Sequence, residues 1–170
     1  GDEQHYQIFF SDLEMIMFKL GGKQSYATGS EAKQFFNSIQ FFPKGQNIVE
    51  FAPKTKGFAV KVPANYSYTK VSGSSSKGLI EDLYAYNATL KQFYGVKQAV
   101  YNDFEYLEED TFELNLFSKN ILKSYNFSEN ISREIVKEQN LPCVKFSAKN
   151  KMGSNFYGKF FIKGLHYYLV

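Results

Sequence analysis

One arrangement of apolar and polar positions occurs twice in this chain: an aromatic-rich run, a short polar break and a second apolar run. Tyr6 to Leu20 carries Phe9-Phe10 ahead of Ser11-Asp12, with Met15 to Leu20 following, and Tyr157 to Val170 carries Phe160-Phe161 ahead of Lys163-Gly164, with Leu165 to Val170 following. Each stretch predicts two strands joined by a tight turn. The copies stand about 150 positions apart, close to the length of an ordinary domain, and read as a repeat with domain-sized spacing. Two aromatic-rich hairpins need cover, and an open strand edge recruits other chains. The two hairpins are therefore expected to be equivalent strand pairs in one continuous antiparallel sheet, with Ile8 and Phe10 on the face opposite Phe9.

Between the hairpins the pattern changes period. Ala32, Phe35, Phe36 and Ile39 recur at helical spacing after Ser30, a suitable N-cap, and Pro43 forbids continuation, so a helix is expected to bury Phe35, Phe36 and Ile39 against a sheet. Residues 43–57 hold two prolines and two glycines without a sustained pattern and read as a linker. Phe58, Val60 and Val62 then alternate up to Pro63, and Tyr66 to Val71 forms a weaker strand. Two long strands follow, Leu79 to Leu90 and Lys91 to Asn102. Ile80, Tyr84, Tyr86 and Leu90 share one face of the first, and Tyr94, Val96 and Val100 share one face of the second. A second helix runs from Asp110 to about Tyr125, with Leu114, Phe117, Ile121 and Tyr125 along one stripe. The remainder is sheet: Ser132 to Glu138, a turn at Asn140-Leu141-Pro142, Cys143 to Ala148, and the final hairpin.

Composition supports a sheet-rich globular chain. Of 170 residues, 44% are hydrophobic and 22% charged, and the 18% aromatic content consists of Phe and Tyr without Trp, rings that suit a pleated surface. The net charge of +3 comes almost wholly from lysine, with Arg133 the sole arginine, which argues against specific nucleic-acid binding because base and phosphate readers rely on arginine forks. No run reaches the length of a membrane span, and no basic, hydrophobic leader opens the chain.

Each candidate for chemistry has a plainer structural reading. The single cysteine, Cys143, excludes an intrachain disulfide. His5 and His166 carry no signature that would make it a nucleophile, and the set falls short of a zinc site. Asp103, Glu105, Glu108, Glu109 and Asp110 crowd carboxylates together but match no calcium-loop spacing. Asp110 with Glu113 suits the start of a helix instead. The loop Ser72 to Gly78 lacks the order of a phosphate loop. The sequons at Asn87, Asn126 and Asn130 carry no weight in so Asn- and Ser-rich a chain. No catalytic, cofactor-binding or metal-binding residue is assigned, and no cofactor is expected.

From Phe58 to Val170 the order of FAVKVP, the YNDF turn, the helix, NLPCVKF and FYGKFFIKGLHYYLV resembles the PsbP-like family, whose domain opens with a similar strand. The resemblance implies an α+β fold, an antiparallel β-sheet with helices packed on it as a PsbP-like sandwich, in which the helix Glu31 to Phe41 stands at the start of the chain rather than after the last strands. It also implies an accessory, mostly non-catalytic role. The expected organisation is residues 1–42 as hairpin plus helix, possessing the layout of the end of a preceding repeat, 43–57 as linker and 58–170 as the main sandwich, together forming one compact unit. The expected function is a non-catalytic interaction or scaffold module of an extracytoplasmic assembly, at the periplasm or cell surface, with a protein partner or a neighbouring repeat. The alternative is a small-ligand or carbohydrate-binding domain using exposed Tyr66, Tyr84 and Tyr168. An enzyme ranks last, since no elbow, nucleotide loop, metal motif or triad is present.

Overall fold

The computed structural model describes residues 2–42, 45–72, 77–101, 110–125, 127 and 131–170. In chain order these form strands β1 (Asp2–Phe10) and β2 (Met15–Lys23), a 3-10 turn (Gln24–Thr28), helix α1 (Ser30–Asn37), and strands β3 (Ile48–Phe51), β4 (Val60–Pro63), β5 (Tyr66–Ser72), β6 (Lys77–Asn87) and β7 (Gln92–Tyr101). Helix α2 (Asp110–Ser124) follows, then β8 (Ser132–Glu138), β9 (Leu141–Lys149), β10 (Asn155–Lys163) and β11 (His166–Leu169). The chain divides into two compact units, one of residues 1–49, 61–67 and 85–93 and the other of residues 50–60, 68–84 and 94–170.

In the first unit β1 and β2 pair antiparallel as a two-stranded ribbon, with Tyr6 opposite Lys19, Ile8 opposite Met17 and Phe10 opposite Met15. Its turn is closed by Ser11, whose N–H donates to the Glu14 carbonyl (2.8 Å) and whose Oγ accepts from the Glu14 N–H (3.1 Å). An isolated hairpin is marginal in water unless one face is covered. Here α1 and the segment after it supply that cover: Phe36 packs on His5 (ring centroids 4.6 Å apart) and Phe41 on Phe9 (4.8 Å). Ala27, Ala32 and Phe36 are buried.

Seven strands in the order β5-β6-β7-β11-β10-β9-β8 form the large sheet. The pairs β7/β11, β11/β10, β10/β9 and β9/β8 are antiparallel. Tight turns explain two of these pairings. Gln139 and Asn140 both take positive φ (49° and 65°) between β8 and β9, and Gly164 (φ 59°) turns β10 into β11, a conformation that glycine adopts at little cost. In the second unit α2 lies on one face of this sheet. Leu114 and Leu122 meet Val144, Phe160, Ile162 and Tyr167, and Phe117 sets its edge against Phe160 at 5.6 Å. Arg133 on β8 reaches α2, donating to Ser118 Oγ (2.9 Å) and to Asn115 Oδ1, so the one arginine of the chain is engaged inside the fold. Burial pulls its guanidinium below its ordinary value.

The other face of β5, β6, β7 and β11 buries Glu81, Leu83, Val96, Gln98 and Tyr168. Its cover is not a helix but the end of β3 and the irregular stretch that follows it: Phe51 packs on Tyr68 (5.0 Å) and the Gly57 carbonyl accepts from the Tyr168 hydroxyl (3.0 Å).

Several expectations are corrected by this architecture. The α+β sandwich of PsbP-like type does not hold: 56% of the described residues are strand against 18% helix, and the fold is dominated by antiparallel sheet. The physical reason is local. Helix α1 finds its apolar partners on the adjacent ribbon, which leaves α2 as the only helix of the second unit among the described residues. The two hairpins share a secondary structure but not a sheet, since β1-β2 stand as a separate ribbon and β10-β11 belong to the seven strands. Helix α1 ends at Asn37, so Ile39, half-buried, lies beyond it; on the helix Phe36 is buried but Phe35 is exposed. The proposed linker contains β3, which pairs with β4. The carboxylates at 103, 105, 108 and 109, the middle of the 72–78 loop and the sequons at 126 and 130 lie outside the described residues.

Candidate functional site

Two features depart from what a sheet-rich domain ordinarily shows. One is a carboxylate inside the core, and the other is a row of apolar side chains in water.

The carboxylate is Glu81, which has 0% exposure. Alternation along β6 turns it inward with Leu83, where a charge is costly unless donors surround it. The donors are hydroxyls. Tyr68 Oη donates to Glu81 Oε1 at 2.6 Å, and Thr55 Oγ1 lies 2.7 and 2.9 Å from Oε1 and Oε2. Burial and then the Glu81 carboxylate push the Tyr68 phenol up to about 12, so the tyrosine keeps its proton and stays a donor. Beside them Gln98 Nε2 lies 3.1 Å from His166 Nδ1, while Gln98 Oε1 is buried without a hydrogen-bond partner. Phe161 and His166 both stack on Tyr168. The arrangement fastens segment 50–60 to the sheet through Thr55 and Gly57. These hydrogen bonds account for the cohesion of that segment with the sheet.

The apolar row lies on the ribbon. Period-two alternation sends His5, Gln7, Phe9, Ile16, Phe18 and Leu20 toward α1, where they are half-buried, and sends Tyr6, Ile8, Phe10, Met15 and Met17 to the opposite face. All five of the latter are exposed, Phe10 to 80% and Met15 to 60%. Antiparallel sheets that face water on one side ordinarily set polar residues there. The cations and anions are displaced to the two ends of the row. Lys19 sits over the Tyr6 ring, 5.5 Å from its centroid, near the open end, and Asp12 and Glu14 occupy the turn.

Of the tyrosines singled out in the sequence, the two in the second unit, Tyr84 and Tyr168, lie on opposite faces of the sheet. Tyr168 is 4% exposed and its hydroxyl is engaged by Gly57, while Tyr84, 46% exposed, sits two and three positions from Asp82 and Glu81 on the face opposite Tyr168. Tyr66 is half-buried and belongs to the first unit. Burial raises the Tyr84 phenol, with the Asp82 charge adding to the effect. Cys143 is 2% exposed, and burial raises its thiol, a shift that suppresses the reactive thiolate. Among the described residues no group of three or more His, Cys, Asp or Glu side chains is arranged to hold a metal ion. No helix among them is long and apolar enough to cross a membrane.

Reasoning from sequence missed Glu81, because a charged residue in an alternating strand is assigned to the wet face by default. The ribbon's outer row was visible in the alternation of Tyr6, Ile8 and Phe10; its lack of cover was not. No protein-family model, curated protein or solved structure matches this chain.

Proposed function

We propose that this chain is a non-catalytic interaction module and that it engages a protein partner through the outer face of the β1-β2 ribbon. The observation that supports this reading is the uncovered row Tyr6, Ile8, Phe10, Met15 and Met17, five large apolar side chains adjacent on one face. Soluble monomers keep such contiguous patches small, and those that persist are commonly binding surfaces. Methionines favour this role, since their unbranched, polarisable side chains adapt to a partner's contour. Aromatic anchors such as Phe10 carry large area at low entropic cost.

The experiment is site-specific photo-crosslinking in the cell that makes the protein. A photoreactive side chain is placed at Met17, with a second protein carrying it at Lys61, which is exposed on β4, as the control. Protein adducts at Met17 but not at Lys61 are expected. An absence of protein adducts at Met17, or equal yields at the two positions, overturns the reading.

A further inference from the structure

We propose that the slot between β7 and β10, past the Lys159-Val170 pair, receives an extended peptide segment of another protein, which joins the large sheet as an added strand antiparallel to both. The site lies in the second unit and is independent of the ribbon.

Strand lengths create the slot. β11 pairs with Lys97 to Val100 of β7 and with Phe160 to Lys163 of β10, whereas β7 extends back past Gly95 and β10 back past Tyr157. Val170 adds one step by exchanging backbone bonds with Lys159 (2.8 and 2.9 Å). Bonding alternates along an antiparallel pair, so Tyr157, two positions before Lys159, aims its N–H and C=O to the same side. On the other flank Leu169 stands opposite Lys97 and bonds toward β7, so Gly95, two positions before Lys97, aims its N–H and C=O inward too. Among the described residues no strand stands between Gly95 and Tyr157, and both are exposed, Tyr157 to 79%.

Those main-chain groups specify the occupant as extended backbone. A strand edge with unpaired N–H and C=O groups is a template for a further strand. Two such edges facing each other suit one inserted strand, because its successive residues bond alternately to β7 and to β10. Edges are ordinarily blunted by proline or lysine, and neither occurs from Tyr94 to Val96 or from Asn155 to Gly158.

Two glycines set the side-chain preference. On the α2 side, a residue inserted at the level of Gly95 has Gly95 on one flank and Gly158 on the other. A Cβ on Gly95 would stand 3.6 Å from the Tyr84 ring, and the Phe146 ring occupies the place of a Cβ on Gly158. Next along β10 on that side is Phe156, 41% exposed and packed on Phe127 (5.2 Å). Strands flanking a single vacant position stand about 9.5 Å apart, twice the ordinary spacing, so one side chain fits between the two rings. The notch therefore takes one large apolar side chain, while the peptide residues on either side of it face the opposite way.

Amide shifts and hydrogen exchange of the isotopically labelled whole chain test this, with the peptide acetyl-Phe-Thr-Val-Thr-Lys-amide as the probe. In the chain alone the Gly95 and Tyr157 amides are expected to exchange fast, and the Gly158 amide, which faces β9, slowly. Peptide at millimolar concentration is expected to shift the first two saturably and to slow their exchange tenfold or more. A peptide N-methylated at its Phe lacks the N–H that meets Gly95 and is expected to bind at least tenfold more weakly. Gly95→Val fills the notch at a position where a Cβ makes ordinary contact, and it is expected to weaken binding tenfold with the circular dichroism spectrum unchanged. Should that variant fail to fold, the N-methylated peptide decides alone. The absence of a saturable shift at Gly95 and Tyr157 overturns the proposal, as does equal binding of the N-methylated peptide or by folded Gly95→Val. Slow exchange of both amides without peptide overturns it too, and a dependence on protein concentration then assigns the slot to a second copy.

Discussion

Replacing Tyr68 by Phe removes one oxygen and nothing else, so the change isolates a single hydrogen bond to a buried charge. The Tyr68 hydroxyl lies 2.6 Å from Glu81 Oε1, and Glu81 has no exposed surface. Hydrogen bonds to ionised groups contribute about 1.5–3 kcal/mol, roughly twice the neutral value. After the substitution the carboxylate keeps, among the described residues, the Thr55 hydroxyl, whose one proton is shared between two oxygens at 2.7 and 2.9 Å. A loss of about 2–3 kcal/mol is therefore expected, which for a chain of this length lowers the melting temperature by roughly 5–10 °C. Circular dichroism in urea is the assay, since the chain has no Trp to report by fluorescence. Repeating the substitution in a Glu81→Gln background is expected to cost about 1 kcal/mol less, the sign of direct coupling. A loss under about half a kcal/mol, or no coupling, refutes the account of Glu81 as a charge held by hydroxyls. The pH dependence gives a further check. A phenol raised to about 12 in the folded chain keeps its proton where the unfolded chain has released it. Its contribution is then complete below the ordinary tyrosine value and is lost as pH rises from there through about 12. The wild-type chain is expected to lose stability more steeply than Tyr68→Phe across that window.

Phe160 has 0% exposure at the centre of the α2-facing core, so Phe160→Ala is expected to lower stability by about 3–5 kcal/mol in the same denaturant assay; a loss below about 1 kcal/mol contradicts its packing against Phe117 and Phe146. Cys143 is expected to react with iodoacetamide at neutral pH far more slowly in the folded chain than in urea, because burial both shields the thiol and raises its pKa; equal rates contradict that.

Strands and hairpins were legible wherever alternation and a turn coincided. The hairpin spans Asp2 to Lys23 and Asn155 to Leu169 follow the predicted pattern, and α2 is helical over Asp110–Ser124, where the apolar stripe runs. The inward face of β6 was not legible. Ile80, Tyr84 and Tyr86 draw the apolar assignment to their own face and leave Glu81 on the wet one, yet Glu81, Leu83 and Ala85 are the buried residues. What reverses the assignment is Thr55 and Tyr68, 26 and 13 positions away in sequence, whose hydroxyls make burial of a carboxylate tolerable. Pairings at that separation have no local signature. Assembly of the hairpins was illegible for a related reason. Matching patterns specify which residues form a strand, whereas the sheet a strand joins depends on its neighbours: β10 has β9 and β11 beside it, and among the described residues β1 has only β2.

The ribbon presents the sharpest conflict between a local rule and the fold, and the conflict is informative. Alternation in β1 gives two apolar faces where one core exists, because His5 and Phe9 already occupy the side taken by Phe36 and Phe41. A sequence optimised only for folding replaces Ile8, Phe10, Met15 and Met17 by polar residues, since that change leaves the covered face untouched and improves solubility. Stability of the unit therefore supplies no reason for the outer row, and breaches of local rules without a folding benefit concentrate at functional sites. The charges support the same inference. Lys19 stands toward the open end of the row and Asp12 in the turn, which leaves its centre apolar, the pattern of an interface core inside a polar rim.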